Sequence, residues 1–252
     1  MFSKVKLVLS TVFCLAVVLA SAAFAASPDS VISRWEKEQT FGEQDGSSVL
    51  EIKVTYYSAE YVEAVVQKEA EKNLWTDDEM QNYKYNMLKA LKLDEYIPIH
   101  IALNNMGSSM HMAPFDSQLT LWAGKKKYEP ADYDKRFNFK LIGKRDGLVF
   151  FPRFDEKTGK SILDGVRSVR LVFYDGISPA TMGKTVDFIW DVSNDDPQKL
   201  YGGKAASKLE LDRLIKRMEI LSGKKKDLEA QLAEIQAELD SINTRVEELQ
   251  KQ

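Results

Sequence analysis

Four residues in one short stretch carry side chains suited to metal chemistry. Met106, Met110, His111 and Met112 fall within N-N-M-G-S-S-M-H-M-A-P-F. Thioether and imidazole ligands favour Cu(I), and an exported protein is where such a site is useful. The competing reading is packing, because methionine fills irregular gaps against a sheet end or a partner. Other chemistry finds less support. The chain has two histidines, His100 and His111, and one cysteine, Cys14. No H-E-x-x-H and no G-x-S-x-G occur, so the common zinc and serine-hydrolase templates are absent. Gly159-Lys160-Ser161 ends like a phosphate loop, but Phe154 stands where the first glycine of that motif belongs. Asp155, Asp164 and Gly165 lack the ligand spacing of a calcium loop. Asn194-Asp195-Asp196-Pro197 reads as a solvated turn. No catalytic residue is expected, and no cofactor apart from the copper alternative.

The compartment is read from the first 25 residues. Lys4 and Lys6 precede an apolar run over 7–19, and Ala23-Phe24-Ala25 offers the small residues of a signal-peptidase site. This predicts a secretory signal peptide over 1–25; the alternative is a retained anchor. Phe13 before Cys14 argues against lipid attachment, which needs a small residue there. Cleavage would leave a chain without cysteine, hence without disulfides or thiolate metal sites. A periplasmic, secreted or cell-surface bacterial location follows as the expectation. The net charge of −3 and mixed charge pattern exclude a basic nucleic-acid-binding face, and no second apolar run is long enough to span a membrane.

The elements that must position any site come next. Residues 26–48 are polar and read as a lead-in segment. Residues 49–57 alternate apolar and polar, the period of a half-buried strand. Residues 59–93 switch to helical spacing, with a capping box at Thr76-Asp77-Asp78-Glu79. Strands resume over 96–103, 118–123, 137–142, 148–151, 168–174 and 186–192, divided by turn signals such as Asn104-Asn105 and Arg145-Asp146-Gly147. Short strands at this spacing predict a mainly β antiparallel sandwich over 49–193 with a helical insertion at 59–93. Residues 194–206 read as a linker.

An apolar strand ending in Asn104-Asn105, then Phe115 and Leu119-Thr120-Leu121 leading to Gly124-Lys125-Lys126-Lys127-Tyr128-Glu129-Pro130, then Gly147-Leu148-Val149-Phe150-Phe151 and Val169-Arg170-Leu171-Val172-Phe173-Tyr174 form a further pattern. Over 96–192 it resembles the immunoglobulin-like domains of exported bacterial proteins of unknown function. That resemblance implies a binding or scaffold module, names no ligand, and does not include the helical insertion.

The strongest periodicity lies in 207–252. Heptad a positions are Leu211, Met218, Lys225, Leu232, Leu239 and Val246; d positions are Leu214, Leu221, Leu228, Ile235, Ile242 and Leu249. Eleven of these twelve are apolar, in one unbroken phase. A helix lying on its own domain would follow a 3.6 period and drift about 20° per heptad from this pattern, so a coiled coil is expected. Leu at a with Ile at d, at Leu232/Ile235 and Leu239/Ile242, favours three or four strands over two. Ser222-Gly223-Lys224 leaves a helical hairpin as the alternative. The partner is a second copy of the chain or another coiled-coil protein. The functional expectation is therefore an exported, non-enzymatic interaction or scaffold protein, oligomerised through its tail. A periplasmic ligand- or copper-binding module using residues 106–112 is the second reading, and an enzyme of unknown type the third.

Overall fold

The structure is a computed structural model that describes residues 27–42 and 49–250. The expected signal peptide, including Cys14, lies outside the described residues. Along the chain run α1 (Pro28–Trp35), β1 (Glu36–Gly42), β2 (Val49–Tyr56), α2 (Ala59–Asn73), α3 (Asp77–Leu91), β3 (Tyr96–Met110), β4 (Leu119–Ala123), β5 (Lys126–Tyr128), β6 (Asp132–Tyr133), β7 (Leu141–Pro152), β8 (Ser168–Phe173), β9 (Val186–Asp191) and α4 (Gly203–Gln250). The strands make two antiparallel sheets, ordered β1-β2-β3-β7-β6 and β5-β4-β8-β9.

Both sheets feed one hydrophobic core. Leu50, Ile52 and Val54 of β2 alternate inward, as do Ile97, Ile99, Ile101 and Leu103 of β3. Leu119 and Leu121 of β4, Leu171 and Phe173 of β8 and Phe188 and Trp190 of β9 belong to the same cluster. Aromatic contacts tie in the N-terminal helix: Trp35 stacks on Tyr56 at 5.3 Å, and Trp190 Nε1 donates to the Trp35 carbonyl at 2.9 Å. The segment expected to be a lead-in therefore becomes α1 and an edge strand of the larger sheet.

Two turn signals lie within strands. Asn104 and Asn105 stay in β3, where a register irregularity follows between Asn105 and Met110. Asn105 is buried; its amide nitrogen donates to the Ser108 and Leu141 carbonyls, at 2.8 and 3.2 Å. That satisfies the backbone where the ladder is broken, so a bulge replaces a turn. Arg145, Asp146 and Gly147 likewise sit mid-β7, paired with Leu103, Ala102 and Ile101 of β3. Gly147 is required by close approach: a Cβ there would lie 2.7 Å from Asp134 Cβ.

Segment 59–93 holds two helices. Ser58 caps α2, accepting from the Tyr61 amide at 3.0 Å, and Thr76 with Glu79 forms a reciprocal capping box on α3. Val62 and Val66 of α2 pack with Tyr85, Leu88 and Leu91 of α3 in a second apolar cluster. Leu200, Ala205 and Leu209 complete that cluster. Residues 194–206, expected as a linker, are thus built into the fold, with a short 3-10 turn over Pro197–Leu200. From Gly203 one continuous helix runs to Gln250, through Ser222-Gly223-Lys224 without a hairpin.

Candidate functional site

Two features stand apart from the packed body, and α4 takes part in both. The base of α4 is fixed to the helical pair. Ala205 and Leu209 are buried, Lys204 pairs with Asp78 at 2.8 Å, and Lys208 Nζ lies 4.5 Å from the Tyr85 ring centroid. Asp212 closes the contact, accepting from the Tyr85 hydroxyl and pairing with Lys89 at 2.9 Å. These bonds hold the Asp212 carboxyl below the usual carboxylate range, the Tyr85 hydroxyl contributing most.

Beyond Asp212 the helix leaves the body. The eleven apolar residues among the heptad positions are each 45–64% exposed, and Lys225 at the remaining position lies 3.6 Å from Glu229. At 3.6 residues per turn, Leu214 lies about 140° round the helix from Leu209. The stripe therefore points away from the buried Ala205 and Leu209, while Lys204, one heptad before Leu211, reaches Asp78 with its long side chain. A soluble chain rarely exposes so long an apolar strip, and such strips mark interaction surfaces.

The second feature is a cleft of about 900 Å³ where the end of β7, the chain after β9 and the base of α4 meet. Arg153, one residue past β7, is 6% exposed and lines it. Its Nε donates to the Tyr96 carbonyl at 3.2 Å, while Nη2 is buried without a hydrogen-bond partner. Asp195 lies in the same wall, and its two oxygens are already engaged. Oδ1 accepts from the Ala59 amide at 2.9 Å, and Oδ2 from the Tyr56 hydroxyl at 3.0 Å. Burial pushes the Asp195 carboxyl up, against the pull of the Ala59 amide, the Arg153 charge and the Tyr56 hydroxyl. Burial likewise raises Tyr201, on the cleft's edge, to about 12.

The four residues of the expected copper loop are divided between core and surface. Met110 and Met112 belong to the hydrophobic core; Met106 and His111 are exposed. His100 pairs instead with Asp146 at 3.0 Å. Among the described residues no group of three or more histidine, cysteine or acidic side chains could hold a metal, and no helix is long and apolar enough to cross a membrane. Asn194-Asp195-Asp196-Pro197, expected as a solvated turn, contains the half-buried Asp195 that anchors α2. Nothing in the sequence marks Arg153 and Asp195 as neighbours across 42 positions; the fold alone joins them.

No family model, no curated protein and no solved structure matches the chain.

Proposed function

We propose that the chain is an exported, non-enzymatic interaction or scaffold protein, assembled through α4 into a trimer or tetramer of itself. The observation that carries this is the unpartnered heptad stripe of α4 on the side turned from the body. At roughly 1.5 kcal/mol per buried aliphatic side chain, eleven contribute on the order of 15 kcal/mol per helix before the cost of association.

Charge pattern supports a second copy in parallel register. In that arrangement each g position meets the next e position of its neighbour. Those pairs are Arg217 with Ser222, Lys224 with Glu229, Gln231 with Gln236, Glu238 with Asn243 and Arg245 with Gln250. One is a salt bridge and none sets like charges together. The buried α4 residues Ala205 and Leu209 fall outside the a and d positions, which leaves the stripe free to meet a second copy. The two sheets then act as faces of an immunoglobulin-like β-sandwich head, a reading supported by the single core they share. Joining several weakly binding heads raises avidity ~100-fold or more. The expected location is periplasmic or at a bacterial cell surface, as the composition of residues 1–25 supports.

Cysteine substitution tests self-pairing and orientation together. In the chain lacking residues 1–25, Leu214→Cys at d should oxidise to a homodisulfide, and Lys216→Cys on the outer face should not. Equal cross-linking at both positions, or at neither, would refute the parallel coil.

A further inference from the structure

We propose that the Arg153 cleft binds a small basic amino acid or basic dipeptide, with the ligand carboxylate on Arg153 and its ammonium groups on the acidic wall. The inference is independent of assembly through α4. Its first support is the guanidinium itself. A buried charged donor left without an acceptor costs far more than a neutral one. Asp195 feels the Arg153 charge, yet its oxygens accept from the Ala59 amide and the Tyr56 hydroxyl, and Nη2 makes no hydrogen bond to it. A ligand carboxylate supplies the acceptor, through a charge-assisted hydrogen bond to Nη2.

The second support is the sign of the remaining wall. Arg153 and the rim residue Arg167, which pairs with Asp191, share the lining with four aspartates and a glutamate. Asp195 accepts from Tyr56 and Ala59 and Asp94 from Tyr201, and acids still outnumber bases. A plain anion would enter against that field, whereas a ligand with one carboxylate and one or two ammonium groups satisfies both signs. Its aliphatic stem has Phe154, Leu163 and Val166 to lie against. The third support is size. At about 900 Å³ the cleft lies in the range of small-ligand sites and takes a dipeptide comfortably.

Calorimetric titration of the full chain with L-lysine and L-lysyl-L-alanine tests this, with cadaverine and inorganic phosphate as comparison probes. Cadaverine keeps both ammonium groups and lacks the carboxylate. At least one lysyl probe should bind with Kd below about 1 mM, and cadaverine at least tenfold more weakly, the equivalent of about 1.4 kcal/mol. Arg153→Met should weaken the lysyl probe tenfold or more. Asp196→Asn, in the cleft wall and away from the core, should weaken it by a smaller factor with the thermal midpoint unchanged, which keeps the test open if the Arg153 variant fails to fold. No binding of either lysyl probe at 10 mM, phosphate binding as tightly as the dipeptide, or unaltered affinity in a folded Arg153→Met or Asp196→Asn chain would each overturn the proposal.

Discussion

The body and the outer part of α4 use the same aliphatic residues to opposite ends. Leu88, Val62 and Leu209 are at most 7% exposed, each covered by neighbours from its own chain. Leu214, Leu232 and Ile235, chemically alike, are 58–63% exposed. Apolar area removed from water stabilises either way; in the body it is removed by folding, whereas in α4 it stays exposed in the single chain, and the proposed association would remove it. The body's stability should thus be independent of protein concentration, and the helix's should follow it. Leu209 and Leu211 mark the boundary: two residues apart, one buried and one 56% exposed.

That contrast can be broken at its strongest point by charging the seam. Leu232→Lys with Ile235→Lys should shift the association midpoint by 100-fold or more, since each 1.4 kcal/mol is a factor of ten. Sedimentation equilibrium measures this, while the thermal transition of the body stays in place. Leu88→Ala is the reverse experiment. A fully buried leucine cut to alanine costs about 2–5 kcal/mol, so the body's denaturation midpoint should fall with the assembly state unaltered. A smaller effect of opposite sign is expected at Lys225, the one charged seam position. Lys225→Leu should tighten association by about tenfold, at the cost of a less fixed register.

The smallest effect belongs to the joint between the two regions. Asp212 has a folded pKa below its ordinary value of 3.8. The ionised carboxylate therefore favours the folded joint above the unfolded value, and that contribution is lost as pH falls through the lower folded one. Amide NMR shifts over 204–212 should move as pH drops from 5 towards 2, and in Asp212→Asn this titration should be missing.

How much of this was legible beforehand varies with the physics of each element. The strand at 49–57 could be read because one face of β2 is buried, which forces alternation. The long helix could be read because its apolar residues recur in one phase. β1, E-K-E-Q-T-F-G, could not: it is held by backbone pairing to β2 and by contacts such as Gln39 Nε2 to the Asp187 carbonyl at 2.7 Å, none of which leaves an apolar period. β7 read as two strands because Arg145-Asp146-Gly147 looks like a turn, although in the sheet Asp146 is exposed, Gly147 is buried and Arg145 donates to the Arg136, Phe139 and Lys140 carbonyls. The apparent linker failed for the same reason in reverse, since Leu200 and Ala205 are too few to show a period yet both are buried. The cleft left no local signal, because its orphaned donor comes from tertiary packing around Arg153.

Light scattering of the chain from residue 26, beside a version ending at Asp212, tests the central claim most directly. Stopping at Asp212 keeps the buried Ala205 and Leu209 and the Tyr85–Asp212–Lys89 contact, and removes the stripe from Leu214 onward. The account predicts a trimer or tetramer for the long chain and a folded monomer for the short one. Two monomers would contradict self-assembly through α4, and two oligomers of equal order would move the interface to the body.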